Sequence, residues 1–192
     1  MSSRRIATAT VASALALTYA GGALAQQDHA TPQEVVQRVR QAAQDIAKHG
    51  EASLATYGSR NDTSVWKDSY VTVVSCEGGT AVGAAHPIRS EFKGVPVART
   101  LTFGPRPGQQ IAADFCAAGR KPHGGWVEYN FPKPGEAQPE RKVSYFLAAQ
   151  GTPYVVGAGI YDPTATLEDL DKISSGSFST AVLVRRGAGS SG

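Results

Sequence analysis

The sequence predicts an α+β domain in which one five-stranded antiparallel sheet carries helices packed mainly on one side. Three observations support this fold class: helical periodicity from residue 32 to about residue 50, strand-like alternation from residue 70 onward, and three further strand candidates between residues 126 and 161. Helices that precede and interrupt an antiparallel sheet are typical of α+β architecture. A length of 192 residues suits one domain, and the chain has no internal repeat.

The first 25 residues have the features of a cleavable export signal. Arg4 and Arg5 form a positively charged start, residues 6–19 are mostly apolar, and the Ala-Leu-Ala sequence ending at Ala25 suits a signal peptidase. The apolar stretch is shorter than the roughly 20 residues of a membrane-spanning helix, so an uncleaved anchor is the weaker alternative. We therefore expect cleavage between Ala25 and Gln26 and a periplasmic or secreted mature chain.

Charge and hydropathy limit the partners of the mature chain. Removal of the signal takes away two arginines, so the net charge falls from +3 to +1, and no dense Lys/Arg cluster is left. Nucleic acid is therefore not an expected partner. No later stretch is long and apolar enough to span a bilayer. We predict a disordered leader at 26–31, a folded domain at 32–175 and a disordered Gly/Ser-rich tail at 176–192.

The folded domain is predicted to begin with a long helix. Thr31 is a suitable N-cap, Pro32 suits the first helical position, and Glu34 is placed to complete a capping box. Apolar residues then recur at helical spacing: Val35, Val39, Ala42 or Ala43, and Ile46. The helix is expected to end near Gly50, and residues 51–57 are predicted to form a second short helix.

A β-hairpin is predicted next. Residues 70–75 are rich in aromatic and β-branched side chains, a Glu-Gly-Gly-Thr turn follows, and residues 81–86 form the second strand. Pro87 ends the hairpin because proline cannot donate to the ladder. Residues 88–108 contain many Gly and Pro residues and are predicted to form a long loop, a feature that is often functional in compact domains. Residues 109–118 are predicted to form a short helix.

The second half of the domain is predicted to be a meander with strands at 126–131, 142–149 and 154–161. A proline-rich loop separates the first two strands, and a Gly-Thr-Pro turn separates the last two, so neighbouring strands should be antiparallel. Asp162-Pro163-Thr164 then precedes a small helix with apolar residues at positions 167, 170 and 173.

Two cysteines, Cys76 and Cys116, are the only ones in the chain. In an oxidising exported compartment an even pair favours a disulfide, with two separately buried thiols as the alternative. A bridge that closes about 40 residues is worth on the order of 4 kcal/mol. His86 and His123 are not spaced with the cysteines as in known zinc motifs, so no metal site is predicted.

Six segments together resemble the single Cache domain family: YVTVV at 70–74, AHPI at 85–88, FCAA at 115–118, GGWVEY at 124–129, KVSY at 142–145 and GAGIYD at 157–162. The resemblance spans roughly residues 32–163. It implies a PAS-like five-stranded antiparallel sheet, a long N-terminal helix packed on one face, and a pocket on the sheet for a small ligand, often an organic acid.

Most members of that family are the outer part of a chemoreceptor or histidine kinase. This sequence shows neither a second predicted membrane span nor a kinase or methyl-accepting segment, so a free-standing binding protein is expected. Family members pack similar first helices together, which implies a homodimer as one alternative. A membrane receptor is the other candidate partner. A structural or partner-binding module without a small ligand is the alternative function.

Strand phase predicts which meander residues share a face of the sheet. With simple pairing about the turns, one face holds Val127, Tyr129, Val143, Tyr145, Leu147, Val156, Ala158 and Ile160. The other face holds Trp126, Glu128, Lys142, Ser144, Phe146, Gly157, Gly159 and Tyr161. The second set combines aromatic rings, one cation and two glycines whose missing side chains leave space, as a small polar pocket requires.

The predicted ligand-binding residues are His86, Trp126, Tyr129, Lys142, Tyr145 and Tyr161. Lys142 is expected to bind a ligand carboxylate, and the two tyrosines Tyr129 and Tyr145 enter because a one-residue bulge would exchange the two faces. Four of these residues have a structural alternative: Lys142 as a solvated strand lysine, Trp126 and Tyr161 as core, His86 as the partner of a nearby carbonyl. No hydrolase, zinc-protease, phosphate-loop or haem motif is present, so no enzyme activity and no cofactor is predicted.

Overall fold

The computed structural model describes residues 28–176. The predicted export signal, its cleavage site and all but the first residue of the predicted tail lie outside the described residues. Two residues of the predicted leader are anchored: the Ala30 amide donates to the Asp68 carboxylate at 2.7 Å, and His29 Nδ1 lies 2.8 Å from it. Within residues 28–176 no helix has the length and apolar character needed to cross a membrane.

The N-terminal helix α1, Pro32–His49, begins where the sequence predicts. The Thr31 hydroxyl accepts from the Glu34 amide, and the Glu34 carboxylate accepts from the Thr31 amide, which completes the capping box. Six residues on one side of the helix are buried: Val35, Val36, Val39, Ala42, Ala43 and Ile46. A 3₁₀ turn, Gly50–Ser53, and the short helix α2, Leu54–Tyr57, follow.

The strands form two antiparallel sheets. A two-stranded sheet pairs β1, Val65–Trp66, with β2, Ser69–Tyr70. The main sheet has the order β4-β3-β7-β6-β5. Its strands are β3 (Thr72–Ser75), β4 (Val82–Ala85), β5 (Gly125–Pro132), β6 (Pro139–Ala148) and β7 (Tyr154–Ile160). The predicted five-stranded antiparallel sheet is therefore confirmed.

Helices cover both faces of the main sheet, which differs from the prediction that they lie mainly on one side. α1 and α5, Leu167–Ser175, share one hydrophobic core with Val73, Val143 and Val156. α4, Gly108–Gly119, packs on the opposite face through Phe115, whose ring stacks on that of Phe146 at 4.1 Å. The second core exists because α4 has its own buried apolar side.

The predicted disulfide is present. Cys76 at the end of β3 is bonded to Cys116 in α4, with the two Cα atoms 5.8 Å apart. The bond ties α4 to the edge of the sheet that carries the β3–β4 hairpin. It therefore fixes the position of Phe115, the residue next to Cys116, over the sheet.

The strand register explains one wrong prediction. β6 and β7 pair as expected, with Val143 opposite Ile160, so their side chains lie on the predicted faces. In β5, however, Tyr129 lies opposite Lys142 and Trp126 opposite Tyr145. The predicted faces require an odd number of unpaired residues between β5 and β6. The connection between the paired residues Pro132 and Pro139 contains an even number, so β5 is out of the predicted phase by one residue.

The long loop predicted at 88–108 folds back over the sheet. It contains a 3₁₀ turn, Ser90–Phe92, and the short helix α3, Val97–Thr100. The Gly83 amide of β4 donates to the Val95 carbonyl at 2.9 Å, which fixes the loop to the sheet edge. A Cβ on Gly83 would lie 2.2 Å from the Phe92 carbonyl oxygen, so glycine is what permits this close approach.

Candidate ligand-binding site

A small cavity lies between the sheet, α4 and the folded-back loop. Its volume is about 50 Å³, counted as space open to the centre of a water molecule. This corresponds to roughly three to five water-sized volumes. Its apolar lining includes Val74, Phe92, Val97, Leu101, Phe115 and Phe131, and its polar lining includes Tyr70, His86, Tyr129, Lys142 and Ser144. No Asp or Glu of the described residues lines it.

Lys142 brings a buried positive charge to this cavity. The residue is only 2% exposed, and its ammonium donates to the Tyr70 hydroxyl at 2.9 Å. Its Nζ also lies 4.1 Å from the Tyr70 ring centroid, 4.8 Å from that of Tyr161 and 5.6 Å from that of Phe131. No carboxylate among residues 28–176 forms an ion pair with it. Aromatic faces offset part of the cost of burying an ammonium, but they do not supply a counterion.

His86 brings a second nitrogen donor to the same cavity. Its Nδ1 accepts from the backbone amides of Ile88 at 3.3 Å and Arg89 at 3.0 Å, which assigns the ring proton to Nε2. Burial, followed by the positive charges of Lys142 and Arg89, lowers the pKa of His86 to about 3. The imidazole is therefore neutral at physiological pH, and its Nε2–H has no hydrogen-bond partner among the described residues.

This pKa predicts a pH dependence of stability. Below its ordinary pKa of 6.5 the unfolded chain binds a proton at His86 that the folded chain does not bind, so the stability present above pH 6.5 is lost progressively as the pH falls toward 3. We expect a slope of about 1.4 kcal/mol per pH unit from this group between about pH 5.5 and 4, and almost none above about pH 7.5. Urea unfolding at pH 5.5, 5.0 and 4.5 should show that slope in the wild type and not in His86→Asn.

The matched control for this pH series is His123→Asn, which alters an exposed histidine outside the cavity. It should keep the wild-type slope, while acidic groups contribute equally to all three proteins. Equal slopes in the wild type and in His86→Asn would contradict the assignment of a neutral, buried His86.

The phenols near Lys142 are neutral as well. Burial raises the pKa of Tyr129 and of Tyr161 above the ordinary value for a phenol. The Tyr129 and Ser144 hydroxyls are hydrogen-bonded to each other at 2.9 Å, and the Tyr161 hydroxyl donates to the Pro132 carbonyl at 2.8 Å. Lys142 is thus the charged side chain among those lining the cavity.

The two glycines of β7 do not open space for a ligand, contrary to the prediction. A Cβ on Gly157 would lie 2.3 Å from the Phe146 ring, and a Cβ on Gly159 would lie 2.2 Å from Ser144 Oγ. The neighbouring strand β6 already fills both spaces. Their role is to let Phe146 and Ser144 lie flat on the sheet, next to the cavity.

The predicted site residues fall into two groups. His86, Tyr129 and Lys142 line the cavity, and Tyr161 lies beside Lys142. Trp126 and Tyr145 lie on the opposite face of the sheet, in the core under α1, with ring centroids 5.4 Å apart. Trp126 is away from the cavity because of the one-residue difference in β5 phase, and Tyr145 because β6 has the phase first predicted, without a bulge.

Several cavity residues were absent from the sequence-based selection. Tyr70, which contacts Lys142 directly, was placed in the predicted hairpin but not in the site. Phe92 and Leu101 belong to the long loop. The length of that loop indicated a functional role but did not indicate which of its residues take part. Phe115 belongs to the predicted helix at 109–118, and only the disulfide-tethered packing of that helix on the sheet brings it to the cavity.

Comparison with known protein families identifies this arrangement. The family model for Single Cache domain 2 matches residues 4–171, most of the chain. The chain belongs to the single Cache domain family. The resemblance carried by its sequence motifs is thereby confirmed.

Three solved structures are similar to this Cache domain. One, described as the structural basis for carboxylic acid recognition by a Cache chemosensory domain, is 20% identical with a TM-score of 0.50, covering 66% of this chain and 87% of that one. A methyl-accepting chemotaxis protein from Vibrio parahaemolyticus is 18% identical with a TM-score of 0.52, covering 72% and 90%. These two support the fold.

The third structure is a periplasmic sensor domain of a chemotaxis protein. It is 25% identical, has a TM-score of 0.47, and covers 66% of this chain and 92% of that one. No curated protein matches the chain.

Proposed function

We propose that this Cache domain is an exported sensor that binds a small organic carboxylate in the cavity, with Lys142 pairing to the acid group. The observation that carries the proposal is a buried ammonium that has no counterion among residues 28–176 and lines a small, mostly apolar cavity. A bound carboxylate would supply the missing negative charge and replace the hydration that the ammonium loses on burial.

The other cavity walls favour a small monocarboxylate. A volume of about 50 Å³ suits a short acid better than a long one. No Asp or Glu of residues 28–176 lines the cavity, which disfavours amino acids because no carboxylate there would pair with an ammonium group. The apolar walls formed by Phe115, Phe131 and Leu101 suit a short hydrocarbon chain. The similar Cache chemosensory domain whose structure shows carboxylic acid recognition supports the same class of ligand.

The site has the composition of a binding pocket, and its neutral histidine and phenols are not arranged as a nucleophile with its base. Binding without chemistry is therefore the proposed activity. A periplasmic or secreted location belongs to the proposal, on the strength of the predicted export signal. A homodimer through α1 and a membrane receptor that reads the bound state stay predictions.

A thermal-shift screen tests the proposal on the purified mature protein. Acetate, propionate and succinate are compared with propionamide, which matches propionate in shape but has no charge. A ligand at 100 times its Kd stabilises the native state by about 2.7 kcal/mol, so a short monocarboxylate should raise the Tm in a dose-dependent way. Succinate and propionamide should have little effect.

Two outcomes would contradict the proposal. If propionamide shifted the Tm as much as propionate, the charge of Lys142 would not be what recognises the ligand. If no small molecule shifted the Tm, a partner-binding module would become the better interpretation of the domain.

A further inference from the structure

Among the described residues, Lys142 and His86 bring side-chain nitrogen donors to the cavity, and Lys142 can satisfy a carboxylate without help from His86. Its ammonium has three protons, one of which is used by the Tyr70 hydroxyl, so two are left for the oxygens of an acid group. The Nε2–H of His86 has no partner among the described residues, and the residue is 8% exposed and lines the cavity. A simple fatty acid that filled the cavity would exclude water from this donor and leave it unpaired, which is unfavourable.

Both donors lie against the same aromatic ring. The Tyr70 ring centroid is 4.1 Å from Lys142 Nζ and 4.8 Å from the His86 ring centroid. A single small ligand can therefore contact both groups. Two threonine hydroxyls near them are already used: the Thr72 hydroxyl donates to the Ala85 carbonyl at 3.2 Å, and the Thr100 hydroxyl donates to the Val97 carbonyl at 2.9 Å.

We infer that His86 selects for acids with an oxygen on the carbon next to the carboxyl group, that is, 2-oxo and 2-hydroxy monocarboxylates. This inference rests on the proposed carboxylate site and names its ligand class. Lys142 holds the carboxylate, and the neutral imidazole donates its Nε2–H to the oxygen at C2. Because that donor is neutral, it recognises a keto or hydroxyl oxygen without demanding a second negative charge.

Three acids of equal chain length test the inference: propionate, lactate and pyruvate differ only at C2. Calorimetric titration of the full mature protein should give pyruvate or lactate a Kd about 10-fold below that of propionate, which corresponds to about 1.4 kcal/mol for one buried hydrogen bond. Equal affinity for propionate and for both oxygenated acids would overturn the inference and leave the carboxylate site intact.

Two variants of His86 separate its two nitrogens. His86→Asn keeps an acceptor near the Nδ1 position for the amides of Ile88 and Arg89, but it has no donor at the Nε2 position. We expect the ratio of the propionate Kd to the pyruvate or lactate Kd to fall from about 10 in the wild type to about 1 in this variant. His86→Gln, which extends an amide donor toward the Nε2 position, should retain part of the preference.

His123→Asn, outside the cavity, is the matched control and should behave as the wild type. A preference for pyruvate or lactate that persists in His86→Asn would assign the selection to another group and overturn the inference. Failure of the carboxylate site itself would look different, because then none of the three acids would bind. If His86→Asn does not fold, the wild-type ranking of the three acids and the His86→Gln result still decide the question.

Discussion

Replacing Cys76 and Cys116 together by serine is expected to lower the free energy of unfolding by about 4 kcal/mol, the chain-entropy value for a loop of this length. The sequence separation of the two cysteines is 40 residues. The loss should appear in urea unfolding of the double variant, and equally in the wild type after reduction. A loss of this size is a large share of the stability of an ordinary domain.

The same substitution is expected to weaken ligand binding. The disulfide holds α4 against β3, and Phe115 of α4 both lines the cavity and stacks on Phe146 of β6. Once α4 is free to shift, the wall opposite Lys142 is no longer fixed, and part of the binding energy is spent on ordering it.

The control for the disulfide prediction is the reductant itself, which should have no effect on the double-serine variant. A change in unfolding free energy below about 1 kcal/mol would contradict the prediction, because even strained native bridges seldom contribute so little in a small exported domain. Unchanged affinity in a folded double variant would show that α4 is held by its packing alone.

Much of the fold was predictable because its signals are local. Thr31, Pro32 and Glu34 specify the start of α1 within four residues, and the short turn between β6 and β7 specifies their register. Both features depend on side chains that are close in sequence. The phase of Lys142 relative to β7 was therefore correct before any tertiary contact was known.

The β5 register was not predictable in the same way. Its phase depends on how many residues the proline-rich connection between Pro132 and Pro139 leaves unpaired, and composition does not determine that number. One residue of difference moves Trp126 to the core under α1 and brings Tyr129 to the cavity. A site assembled across a long loop is therefore predicted less well than one across a tight turn.

The contacts around Lys142 were also beyond the sequence. Tyr70 is 72 residues away along the chain, and Phe131 belongs to the strand whose phase was wrong. A buried lysine differs from a solvated one only through these distant contacts. The sequence indicates the face on which Lys142 lies. The tertiary fold supplies its aromatic surroundings and places no counterion from residues 28–176 beside it.

Lys142→Met is expected to weaken carboxylate binding by roughly 10- to 150-fold, the equivalent of one charge-assisted hydrogen-bonded contact worth about 1.5 to 3 kcal/mol. Methionine keeps a flexible side chain of similar length and removes the charge. Calorimetric titration with propionate measures the loss.

The ligand-free stability of this variant distinguishes a binding role from a structural one. A buried ammonium without a counterion is unfavourable, so its replacement by an apolar side chain should leave the free energy of unfolding unchanged or raise it. Urea unfolding without ligand measures this. A lysine that mainly stabilised the fold would instead give a less stable variant.

Lys133→Met is the matched control, because Lys133 lies outside the cavity, pairs with Glu140 at 2.8 Å and lies 5.8 Å from the same Tyr161 ring that Lys142 contacts. Lys133→Met should bind propionate as tightly as the wild type, because a solvent-exposed ion pair interacts only weakly with groups elsewhere in the protein. Wild-type affinity in Lys142→Met would place the carboxylate elsewhere in the molecule. A parallel loss in Lys133→Met would mean that general positive charge near Tyr161, and not a contact with Lys142, attracts the acid. The prediction therefore requires two results together. Lys142→Met should weaken propionate binding without lowering the free energy of unfolding. Lys133→Met should change neither the binding free energy nor the free energy of unfolding by more than about 0.5 kcal/mol.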